Sequence, residues 1–108
     1  MSETLSRIRK LVAQGRARVS DHGDEQLNED RIDARDAFKG LDQAQLVEDY
    51  ADTGRGPSVL VLETDRFGKP IHVVWGIQHD APDGPAVLIT AYRPDPSRWS
   101  DDLKRRLK

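Results

Sequence analysis

Three short apolar runs constrain this chain more than anything else in it: Val59–Leu62, Ile71–Ile77 and Val87–Tyr92. Each is rich in β-branched and aromatic residues and is bounded by turn formers, so each predicts a strand. The connections, Asp65–Lys69 and His79–Pro85, are hairpin-length, with turns centred near Phe67 and Pro82. Tandem hairpins make an antiparallel meander. Gln45–Tyr50 reads as one more strand ahead of it, followed by a loop, Ala51–Pro57, that holds two glycines and a proline.

Side chains alternate across a strand, so Ile71, Val73, Trp75 and Ile77 share one face while His72, Val74, Gly76 and Gln78 share the other. The flanking strands are apolar on both faces. The second face is therefore expected to be a cleft, a partner surface, or a surface covered by the tail that carries Trp99.

Upstream, Leu5, Ile8, Leu11 and Val12 form the apolar stripe of a helix that Ser2 or Thr4 can cap and Gly15 can end. Arg16–Ser20 is short and alternating, an edge strand or an extended linker. Ser20 or Asp21 opens a second helix with His22, Gln26 and Leu27. Asp33 opens a third, with Ala34, Ala37 and Phe38 inward and Gly40 at its end. After Pro94 and Pro96, Ser100 can cap a closing helix over Asp101–Leu107. Helices, then strands, then a short C-terminal helix predict an α+β fold, with N-terminal helices packed on one face of a four-stranded antiparallel sheet.

The 108 residues suit a single domain with its core over about residues 18–99. No cysteine is present, which removes disulfides and thiolate metal sites. Nothing approaches a membrane span or a signal peptide, so a cytoplasmic setting without membrane contact is expected. Charge is segregated: five bases and no acid from Arg7 to Arg18, eleven acids against four bases from Ser20 to Gly56, six bases against three acids from Arg93 to Lys108. Solvated helix faces explain such runs, and so does a shallow anion-binding surface where the two basic ends meet.

With turns near Phe67 and Pro82, His72 falls opposite Leu62 on one side and Tyr92 on the other. Thr90 then shares the face of His72 and Tyr92, and Arg93 lies at the strand exit. An imidazole, a phenol, a hydroxyl and a guanidinium suit phosphate chemistry: histidine as acid or base, arginine as clamp. His22 would supply the other half of an acid–base pair, with Thr90 on the substrate. The three histidines are scattered and no phosphate-cradling glycine motif is present, so neither a metal nor a cofactor is expected.

Ser20-Asp21-His22 with Leu27 and Ile32, Pro70-Ile71-His72-Val73-Val74, and Ile89-Thr90-Ala91-Tyr92-Arg93-Pro94 with Trp99 following together resemble a bacterial domain-of-unknown-function family, DUF4258, over about Arg18 to Trp99. That family resembles the RelE/ParE-like fold, many of whose members are metal-independent ribonucleases and toxins of toxin–antitoxin pairs. The resemblance implies RNA as substrate and a site at His22, His72, Thr90, Tyr92 and Arg93. Two positions depart from the family pattern: Gln26 stands where an arginine is usual, and Asp30-Arg31 where Arg-Gly is usual. A cation missing beside a phosphate costs about 2–4 kcal/mol of transition-state stabilisation, roughly a hundredfold or more in rate. The rival expectation is a non-enzymatic module that docks a protein partner or its own copy on the second sheet face.

Overall fold

The three N-terminal helices and the four meander strands expected from the sequence are present in a computed structural model of the chain, which describes residues 2–52, 54–81 and 83–107. The turn expected near Pro82 centres outside the described residues. Helix α1 (Glu3–Ala13) starts where the Ser2 hydroxyl accepts the Leu5 amide at 3.1 Å. It stops at Gln14, where Gly15 takes the left-handed φ of 74° that a side chain would resist. Strand β1 (Ala17–Val19) follows. Ser20 and Asp33 cap α2 (Asp21–Glu29) and α3 (Ala34–Gly40), accepting the Gly23 and Arg35 amides at 2.9 Å each. A 3-10 turn (Leu41–Gln43) leads into β2 (Gln45–Tyr50), β3 (Ser58–Thr64), β4 (Pro70–Gly76) and β5 (Ala86–Tyr92).

One sheet face carries the core. Leu5, Ile8 and Leu11 of α1, Leu27 of α2, Ala37 of α3 and Leu41 pack on Val59, Val61, Ile71, Val73, Trp75, Ile77, Leu88 and Ala91. Burying such side chains contributes about 1.5–3 kcal/mol each. Arg9 ties α1 to the turn after α3, its guanidinium donating to the Leu41 and Ala44 carbonyls at 3.1 and 2.8 Å.

The sheet corrects the sequence expectation of four antiparallel strands: among the described residues it has five, in the order β1-β5-β4-β3-β2, and it is mixed. β2 to β5 form the expected antiparallel meander, with bulges that leave Val47 and Ile89 unpaired. β1 joins parallel to β5, Ala17 beside Ala86 and Val19 beside Leu88. Three residues carry little periodicity, and a parallel pairing with a strand 69 positions away leaves no local signature. Beyond β1, α2 runs along the remaining β5 edge. Ser20 donates its amide to the Leu88 carbonyl (3.0 Å) and its hydroxyl to the Ile89 carbonyl (3.1 Å). At the far end the Asp30 carboxylate accepts the Arg93 amide at 2.8 Å. A helix thus covers backbone groups that would otherwise template aggregation.

The closing helix expected at Asp101–Leu107 does not form. Residues 98–107 make a tight loop instead: Leu107 donates to the Arg98 carbonyl (2.9 Å), Ser100 to the Arg105 carbonyl (2.8 Å), and Trp99 bridges Arg106. The Ser100 hydroxyl bonds Asp102, and Leu103 adopts a left-handed φ of 61°. Seven residues are too few for a helix to recover its nucleation cost without tertiary help. The tail gains that help in another shape, by lying over the second sheet face.

One carboxyl sits in the core. Alternation along β3 sends Glu63 inward with Val59 and Val61, and it is 2% exposed. The Trp75 indole donates to its Oε2 at 3.3 Å, and its Oε1 has no hydrogen-bond partner among the described residues. Burial pushes its pKa up to about 8 against these weaker stabilising contacts, so the group is mostly protonated at neutral pH.

Candidate functional site

The register puts His72 opposite Leu62 on β3 and Tyr92 on β5. Thr90 pairs with Val74 two residues along, on the same face. This face lies opposite the helices, yet His72 is 0% exposed because the tail covers it. The Trp99 ring meets the imidazole edge-on, centroids 4.4 Å apart, and the Tyr92 ring does so at 5.3 Å.

Both ring nitrogens are engaged. Nε2 lies 2.8 Å from the Leu103 carbonyl, which only accepts, so Nε2 carries the proton and donates. Nδ1 is then the acceptor for the Tyr92 hydroxyl at 3.2 Å. Burial lowers the His72 pKa and the nearby Arg106 cation acts in the same direction; the Leu103 carbonyl and Glu48 oppose them. The ring is neutral at pH 7. Arg106 holds the tail from outside, pairing with Glu48 at 2.9 Å and stacking its guanidinium 4.9 Å from the Trp99 centroid.

Arg93, one residue past β5, is committed elsewhere. Its guanidinium pairs with Asp65 at 3.1 Å and donates to the Asp30 and Arg31 carbonyls at 3.3 and 3.4 Å. Asp65 in turn organises the β3–β4 turn, its Oδ1 accepting the Phe67 and Lys69 amides at 2.9 Å each. Arg93 therefore fastens the end of α2 to the hairpin. His22 is exposed on α2 and takes no part in the hydrogen bonds around His72. Gln26 is half-buried on the same helix.

The residues named from sequence thus fall into three groups. His72 and Tyr92 touch, with Thr90 on their face. Tyr92 and Arg93 line a cavity of about 780 Å³ with Arg98, Trp99 and Arg106, and His72 lies outside that lining. His22 stands apart on its helix. The groups that do hold the site together, the Leu103 carbonyl and the Arg106–Glu48 pair, were not singled out in the sequence. A backbone carbonyl leaves no sequence signal, and Arg106 sat in a segment read as helix. Among the described residues no three His, Asp or Glu side chains converge as a metal-ligand set. No described helix is long and apolar enough to cross a membrane.

Comparison with family models matches residues 19–93 to a domain of unknown function, DUF4258. Comparisons with curated proteins and with solved structures give no match. The matched segment runs from the end of β1 through β5 to Arg93 and leaves out α1 and the tail. Since it spans well over half of the chain, this protein belongs to the DUF4258 family.

Proposed function

We propose that the chain is a non-enzymatic protein-binding domain of RelE/ParE-like architecture in which His72 is part of the scaffold. One observation carries the reading: the imidazole is fully enclosed, and both its nitrogens are spent on Tyr92 and Leu103. A general base needs a free lone pair within reach of the proton it takes. A phosphate clamp needs a guanidinium free to turn to substrate, whereas Arg93 is bound to Asp65 and two carbonyls. The helices packed on one face of the sheet support the RelE/ParE-like kinship.

A second reading, metal-independent ribonuclease, is favoured by one feature. The cover over His72 is the tail, which lies outside the family match at 19–93. If that cover lifted, the His72–Tyr92 face would open to RNA.

Incubating structured and single-stranded RNA with the full chain and with a His72→Gln variant separates the two. The non-enzymatic reading expects no cleavage, or equal trace cleavage, from both proteins. Cleavage by the parent that the variant loses, with its circular dichroism unchanged, overturns it in favour of the ribonuclease.

A further inference from the structure

The tail covers only part of the second sheet face. Past it, one registered row of side chains crosses all five strands. Tyr50 pairs with Ser58, Ser58 with Gly76, Gly76 with Val87, and Val87 with Arg18. Directly paired residues share a face, so this row runs along the sheet surface at right angles to the strands. Its middle holds serine, glycine and valine, and its ends are the larger tyrosine and arginine. The result is a trough. Four strand spacings make it about 19 Å long, the span of about six extended residues.

The walls define what would lie there. A cavity of about 420 Å³ occupies the trough, bounded also by Arg55 and by Ile89. Ile89 is the bulged residue of β5, and its Cδ1 atom would be 2.6 Å from a Cβ placed on Gly76, so the Ile89 side chain lies over the glycine and makes the apolar floor there. Tyr50 and Ile89, 38% and 37% exposed, are two of the large apolar side chains that this molecule leaves in solvent. The charged lining, among the described residues, is Arg18 and Arg55, with no carboxylate. Two carboxylates on the adjoining segments are already engaged: Glu48 by Arg106 and Tyr50, Asp52 by His79 and the Gly54 and Gly56 amides.

We propose that this trough is the docking site of the binding domain and takes an extended acidic peptide segment of a partner protein, carboxylates toward Arg18 and Arg55 and an aliphatic side chain against the exposed side of Ile89. The assignment rests on the non-enzymatic reading above and names its partner. Charge complementarity selects an acidic occupant. An extended strand matches a trough one residue row wide, where a helix about 10 Å across would ride on its rims. RNA is disfavoured because single strands are held by aromatic platforms, and the trough offers only Tyr50, whose hydroxyl is tied to Glu48.

The test is an amide-detected NMR titration of the full chain with a blocked hexapeptide alternating glutamate and leucine. Its lysine–leucine counterpart and a uridine hexanucleotide serve as the other arms. The acidic peptide should shift the Ser58, Gly76 and Val87 amides, and Arg18→Glu or Arg55→Glu should weaken it by roughly fivefold each. Ile89→Asp should abolish binding by placing a carboxylate on the apolar floor, and the two arginine variants keep the test intact if that variant folds poorly. Three outcomes overturn the proposal: no shift of these amides at millimolar peptide, equal or tighter binding of the basic peptide or the RNA, or a self-dimer in sedimentation that buries the row. His72-dependent RNA cleavage would instead remove the non-enzymatic reading, and leaves the peptide arms to be judged on their own shifts.

Discussion

Glu63→Gln should change how stability depends on pH, and the magnitude follows from one number. The Glu63 pKa is about 8 in the fold against 4.5 for an ordinary glutamate. Below 4.5 both folded and unfolded chains hold this proton, so the group adds no pH dependence. Between 4.5 and 8 the unfolded chain releases it while the folded chain keeps it. Stability therefore falls as pH rises, by about 1.4 kcal/mol per unit, and levels off above 8. From pH 5 to pH 8 the loss is about 3–4 kcal/mol, a large share of the roughly 5–15 kcal/mol that holds a domain folded.

Glutamine has the shape of the protonated acid and does not titrate. The stability gap between variant and parent should then grow by that 3–4 kcal/mol over the same interval. Any fixed cost of the amide cancels in the difference, as do the other titrating groups. Urea unfolding followed by tryptophan fluorescence at pH 5, 6.5 and 8 measures it. Trp75, whose indole donates to Glu63, sits at the reporting position. Parallel pH profiles for the two proteins would refute the reasoning and mean that Glu63 is ionised in the fold.

The remaining predictions concern the scaffold around the candidate site. His72 should titrate below 6.5 by NMR and carry its neutral-form proton on Nε2. Its lowered pKa gives a stability contribution that is present above pH 6.5 and lost as pH falls through the folded value, opposite in sign to Glu63. Gly23→Ala should destabilise by about 1–3 kcal/mol in urea unfolding, although alanine is the better helix former by about 1 kcal/mol, because the new Cβ would lie 2.6 Å from the Leu88 carbonyl oxygen. Asp65→Ala should cost about 2–4 kcal/mol, since it strands the Phe67 and Lys69 amides and leaves Arg93 without its carboxylate. A melting temperature within a degree or two of the parent would contradict either substitution.

Much of the architecture was legible because its causes are local. β-branched runs, the caps at Ser2, Ser20 and Asp33, and Gly15 each act within a few residues, and the strand register followed from hairpin length. Arg16–Ser20 reads from sequence as an edge strand or a linker, and the structure makes it an edge strand; the choice was not legible because its partner is a distant strand. The C-terminal helix was misread because the Ser100 cap looked complete locally, while the tail's shape is set by its contacts with His72 and Glu48. Within the site, the meeting of His72 with Tyr92 followed from register, but their enclosure depended on where a loop lands. The inward Glu63 had a signal in the alternation Val59, Val61, Glu63, and the eye passes over it because a carboxyl in a core is rare.

The unpaired Ile89 has a consequence for how such a chain can vary over time. On its N-terminal side, Ala86 and Leu88 are the inward residues of β5; on its C-terminal side, Ala91 is. Even positions are inward before it and odd ones after, so the spare residue acts as a parity inverter inside one strand. Deleting it would leave Ala86, Leu88 and Ala91 inward and Val87, Thr90 and Tyr92 outward in plain alternation, and the ladder to β4 would close without a break. The count between the β1 pairing and the His72–Tyr92 contact can therefore fall by this one residue without changing a face, whereas a second loss would flip one of the two halves, so aligned relatives that keep both anchors should differ there by at most the bulge.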